Sequence, residues 1–156
     1  MTVQFHPYDA GVVAAIRAGG PDAYGNPAEP AQSDGDGAPC RSCLHDVPAG
    51  QTDLTLAARP FGSLQPFAET EPIFLCAGAC TPWSGDGVPP ILVTSPEYLL
   101  NGYSADERLI YGTGRVVAAD QIGTYAEWLF LSPQLAYVDV RSVRNACFQA
   151  RITRGA

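Results

Sequence analysis

The apolar residues of this 156-residue chain come in short runs broken by glycine and proline, and most runs have the period of a strand. Leu54, Leu56 and Ala58 alternate with Thr55, Ala57 and Arg59, a spacing that buries one face of an extended segment. "EPIFLC" is a short apolar run of strand type. "SPEYLLNGYSADERLIYGTGRVVAAD" predicts a hairpin, with strands over 98–103 and 109–117 and a turn at "SADER". "AYVDVRSV" and "ACFQARITR" predict two further strands joined near Asn145, and Thr2–Phe5 can open the chain as another. Only two stretches have helical spacing. One follows Asp9, a suitable cap, and carries Val12, Val13, Ala15 and Ile16; the other follows Asp120, also expected to cap it, and carries Ile122, Tyr125, Trp128, Leu129 and Leu131. This order lacks the regular strand–helix alternation of a doubly wound sheet. It predicts one α+β domain over residues 1–156, with a mainly antiparallel sheet and few helices.

Between these elements lie long irregular segments. Residues 21–39, "PDAYGNPAEPAQSDGDGAP", form a predicted loop with Tyr24 as its one large hydrophobic anchor, and loops of this length are commonly functional or disordered. "CTPWSGDGVPP" is a second interruption. The glycines of "YGTGR" weaken the strand that contains them and suggest a bulge or a close backbone approach.

Charge narrows the partners. The formal net charge is -7 and the pI about 4.6, which argues against nucleic acid or an anionic membrane surface. All nine basic residues are arginine, so a lysine Schiff base and a phosphate-loop lysine are both excluded. No apolar run is long enough to span a bilayer, and the first residues lack the features of a secretory signal. The expectation is a cytoplasmic protein whose five cysteines stay reduced.

The cysteines carry the chemistry. Cys40 and Cys43 form a C-x-x-C, and Cys76 and Cys80 a C-x-x-x-C, each flanked by the glycines and prolines a tight turn needs. Two such pairs suit a tetrahedral thiolate site, which makes Cys40, Cys43, Cys76 and Cys80 candidate zinc ligands, with His45 as a substitute. A second reading makes Cys40 a nucleophile, with Arg41 lowering its pKa and His45 as acid or base. The plain reading is that these are buried thiols packing as small hydrophobes.

Arginines supply the other candidate site. Arg41, Arg115, Arg141 and Arg144, with Arg151 and Arg154 nearby in sequence, could line a pocket for a small anion if the sheet gathers them, since guanidinium forks fit carboxylate and phosphate. Surface ion pairing is the ordinary alternative. His6 is expected to pack or cap, Asp34–Gly37 to form a turn rather than a calcium loop, and "YGTGR" lacks the spacing of a dinucleotide site.

Five segments, "DAYGNP", "SDGDGAPCRSCL", "EPIFL", "YGTGRVV" and "ACFQARI", occur here in the order in which they resemble a bacterial family catalogued as domain of unknown function 1203. "PCRSCL" and the cysteine–aromatic ending are the most specific of them. Gly50-Gln51 departs from the Gly-Glu found at that place in the family. The resemblance implies a compact stand-alone bacterial domain and brings no activity, cofactor or catalytic residue with it. Three functions are therefore carried forward: a small-anion-binding domain with a structural metal, a thiol-dependent enzyme using Cys40, and an interaction domain that works through a protein partner or as a homodimer.

Overall fold

A computed structural model describes residues 2–156. These residues form eight strands and two α-helices in the order β1 (Val3–His6), α1 (Ala10–Arg17), β2 (Glu29–Gln32), β3 (Thr52–Ala58), β4 (Glu71–Cys76), β5 (Glu97–Tyr103), β6 (Arg115–Ala118), α2 (Ile122–Leu129), β7 (Tyr137–Ser142) and β8 (Phe148–Arg154). All pairings between them are antiparallel, and they make two sheets, β1-β8-β7-β5-β6 and β2-β3-β4. The α+β expectation holds, with the strands divided between two sheets. Among the described residues no helix is long and apolar enough to cross a membrane.

The buried side chains form three clusters, and β7 packs on both faces. Its residues Tyr137 to Arg141 are all buried, so both of its faces are covered. Val138 and Val140 join Leu100, Ala150 and Ile152 in a core closed by Ile122, Tyr125, Ala126 and Leu129 of α2. The residues that alternate with them, Tyr137, Asp139 and Arg141, point to the other face. A second core lies between α1 and the three-stranded sheet: Val13 and Ile16 pack with Leu56, Ile73, Leu75, Cys40 and Cys76. Helix α1 starts where expected, with the Asp9 carboxylate accepting the Val12 amide at 2.9 Å.

The structure departs from the sequence reading in three places. The segment 21–39 is not wholly irregular: Glu29–Gln32 pairs with β3 as an exposed edge strand. Pro30 disguises it, because proline lacks the ladder donor and is tolerated in sheets mainly at an edge. The second strand of the hairpin is only Arg115–Ala118. Before it the chain turns through Gly112 at φ +91°, and the Thr113 hydroxyl oxygen takes the Gly102 amide that a strand partner would otherwise bond. Helix α2 begins without a side-chain cap, after a short 3-10 turn over Ala119–Gln121, and its Trp128 stays exposed.

Candidate functional site: a four-thiol centre and the cleft beside it

The turn at Cys40–Cys43 is closed by the backbone before any sulfur is considered. Cys40 N–H donates to the His45 carbonyl at 2.9 Å, Leu44 N–H donates to the Cys40 carbonyl at 2.9 Å, and Pro39 bridges Asp46. Leu44 takes a left-handed backbone, φ +58°, which costs a branched residue on the order of 1 kcal/mol or more. Complete burial of its side chain in the first core offsets that cost. The turn is docked on three sides. Arg41 N–H bonds the Phe74 carbonyl of β4, Trp83 N–H the Ser42 carbonyl, and Ile91 N–H the Leu44 carbonyl. This docking places the first cysteine pair beside Cys76, the last residue of β4, and Cys80 returns from the loop that follows.

The ligating atoms of Cys40, Cys43, Cys76 and Cys80 all lie within 4.8 Å of one another, so the four form a place where a metal ion could be held. The Sγ atoms of Cys40 and Cys80 are 3.8 Å apart. Zinc–sulfur bonds of about 2.3 Å in a tetrahedron put its sulfurs about 3.8 Å apart, so this edge already has the spacing of a closed site. Cys40 and Cys76 are buried and the other two partly so.

Donors converge on these sulfurs. The amides of Cys76 and Ser42 reach Sγ of Cys40 at 3.2 and 3.4 Å. Arg17, in the last turn of α1, sends Nη2 to Sγ of Cys80 at 3.0 Å and Nε to the Cys76 carbonyl at 3.0 Å. A hydrogen bond from Cys43, helped by these backbone amides against the effect of burial, draws the Cys40 thiol down to about 4. The same contact pushes Cys43 up, and burial with the nearby Cys40 charge pushes Cys76 up to about 12. These contacts favour the thiolate form at Cys40, the form that ligates metal.

A model of the family described as "Protein of unknown function (DUF1203)" matches residues 37–154. The chain belongs to this family. No curated protein and no solved structure matches it significantly. The DUF1203 match takes in all four clustered cysteines and Arg41, while Arg17 and His6 lie before it.

The sequence candidates fall into separate places. Cys40 is sealed from solvent, and the His45 ring bonds the Cys43 carbonyl through Nδ1 at 2.9 Å and leans toward Trp83 on the outer side. Among the described residues no hydrogen bond links His45 to a cluster sulfur through its ring. The four arginines are not gathered into one pocket. Arg115 lies over the Tyr125 ring, Arg144 is exposed in the β7–β8 turn, and Arg141 is buried on Glu69 and Glu71.

Arg41 is the exception. It is 2 % exposed, donates through Nε to the Phe148 carbonyl at 2.7 Å and through Nη1 to the Pro39 carbonyl, and has no carboxylate within ion-pair distance among the described residues. Burial lowers its pKa to about 10, which leaves it charged at neutral pH. It lines a cleft of about 610 Å³ together with Cys147, Gln149, Asp46, Asp36 and Phe74. Cys147, the fifth cysteine, has its pKa raised by burial and by Glu71, so it presents a neutral thiol there. Sequence reasoning missed Arg17. It lies far along the chain from the cysteines, and its only sequence signal is its place at the C-terminal end of an amphipathic helix.

Proposed function

We propose that this domain binds a small anion, and that a zinc ion held by Cys40, Cys43, Cys76 and Cys80 fixes the turn that presents the binding arginine. The 3.8 Å edge between Cys40 and Cys80, within a four-sulfur cluster, carries the metal half of this reading. An all-thiolate set favours zinc or iron over hard cations. Four thiolates around a divalent ion leave a net charge of about -2, and Arg17 and Arg41 are the cations placed to offset it. The burial of Arg41 without a carboxylate partner supports the anion half. A nucleophilic Cys40 has less support, since its sulfur is enclosed by the cluster and by two backbone amides.

The deciding experiment is elemental analysis of tag-free protein purified without chelator, paired with thiol titration before and after unfolding. About one zinc per chain, with four of the five thiols protected until the protein unfolds, is the expected result. Metal-free protein that takes up no zinc on titration would overturn the metal reading.

A further inference from the structure

The polar atoms left unpaired in the Arg41 cleft are of both signs, and their arrangement narrows the ligand. Nε and Nη1 of Arg41 are used by carbonyls, while Nη2 makes no hydrogen bond among the described residues and is not enclosed by protein. Gln149, which lines the same cleft, is 6 % exposed; its amide nitrogen donates to the Cys147 carbonyl at 3.2 Å, and its oxygen accepts no hydrogen bond among the described residues. Asp36 and Asp46 also line the cleft, and neither carboxylate accepts a hydrogen bond from the described residues. Neither lies within 4.0 Å of the Arg41 guanidinium. The cleft is therefore lined by one buried donor group with a positive charge, one buried amide, and two carboxylates without hydrogen-bond donors among the described residues, Asp36 exposed and Asp46 part-buried.

A simple anion would meet Arg41 but also the repulsion of Asp36 and Asp46, and a simple amine would meet the carboxylates and the repulsion of Arg41. A molecule that carries both a carboxylate and an ammonium satisfies every one of these groups. We propose that the cleft binds a free α-amino acid as its zwitterion, the carboxylate on Arg41 Nη2 and the ammonium on the Gln149 oxygen with Asp36 and Asp46 behind it. Pro72, Phe74 and Ile91 give the cleft an apolar wall for the side chain, and its volume lies within the range of small-molecule sites. This inference rests on the small-anion reading above and names the ligand class for it.

The test is calorimetric titration of the zinc-loaded full chain with L-alanine, L-leucine, acetate, n-butylamine and inorganic phosphate at matched ionic strength. An amino acid should bind at least about tenfold more tightly than acetate, with no heat from the amine, because the second charged contact is present only in the zwitterion. Arg41→Lys should abolish binding by removing Nη2, the guanidinium nitrogen left free for the ligand. Since that variant disturbs a buried residue, Asp36→Asn with Asp46→Asn is the safer one: both carboxylates lack internal bonds. It should remove the preference for amino acid over acetate. Acetate or phosphate binding as tightly as the amino acids would overturn the zwitterion while leaving the small-anion reading intact. Absence of any binding to a fully zinc-loaded chain would overturn both.

Discussion

Arg17 joins the end of helix α1 to the four-thiol cluster by two bonds, Nη2 to Sγ of Cys80 and Nε to the carbonyl of Cys76, each 3.0 Å long. A donor from outside a thiolate site holds its ligand in position and drains charge from the sulfur, and losing such a partner commonly weakens metal affinity about 10–100-fold. Arg17→Ala should bind zinc at the same stoichiometry as the unaltered chain but give it up to a chromophoric chelator at correspondingly lower chelator concentration. Equal release curves for the two proteins would show that Arg17 is only a helix-end contact.

Cys80 and Cys147 make a matched pair for testing which thiols belong to the centre. Both are partly buried, but only Cys80 lies within the four-sulfur cluster. Cys80→Ser should lose most of the zinc and several degrees of melting temperature, because metal binding in such a site is folding energy. Cys147→Ser should keep one zinc per chain, and the single thiol that reacts before unfolding in the unaltered chain should disappear with it. His45→Ala should resemble Cys147→Ser in metal content, since its ring faces outward onto the Cys43 carbonyl.

The contrast between Cys80 and Arg17 also shows what a sequence can reveal here. The two cysteine pairs are legible because each is a local pattern whose spacing reflects one turn. Strands were legible for the same reason, since Leu54, Leu56 and Ala58 announce their common face by period alone. The places of Arg17 beside the thiols and of Gln149 in the cleft are not legible in the sequence, because they come from how α1 and β8 pack against distant segments. The loop reading of 21–39 failed at Glu29–Gln32, where all four side chains are exposed and no alternation marks the strand. The four candidate arginines part company for a reason no local pattern could reveal: Arg41 has no carboxylate within ion-pair distance among the described residues, whereas Arg141 has found Glu69 and Glu71, acids on a distant segment.

That ion cluster gives a prediction in which burial decides the magnitude. Arg141 is 1 % exposed and bonds Glu71 at 2.6 Å and Glu69 at 2.8 Å; the two side chains are 11 % and 54 % exposed. Removing one partner of a buried pair strands the other charge, at about 3–5 kcal/mol, whereas an exposed pair contributes about 1 kcal/mol or less. Glu71→Ala should therefore lower the denaturation midpoint sharply and Glu69→Ala only slightly. Equal losses would mean that Arg141 is satisfied by the Ala146 carbonyl and Tyr103 hydroxyl it also contacts.

His6 sets a pH dependence at the β1 edge of the five-stranded sheet. Its Nε2 lies 2.7 Å from the Thr153 hydroxyl, and burial, then the nearby Arg151 charge, lowers its pKa below 6.5. A base whose pKa is depressed by folding binds fewer protons in the native state than in the unfolded one, so stability rises with pH between the folded value and 6.5. Read downward, acidification below pH 6.5 should cost the unaltered chain stability through the unfolded state's greater uptake of protons. His6→Gln removes that titration and keeps a polar group near Thr153. Melting temperatures of both proteins across pH 5 to 7.5 should therefore converge on the acid side relative to their separation at pH 7.5. A separation independent of pH would show that His6 titrates alike in the folded and unfolded chain, and that its role beside Thr153 is packing alone.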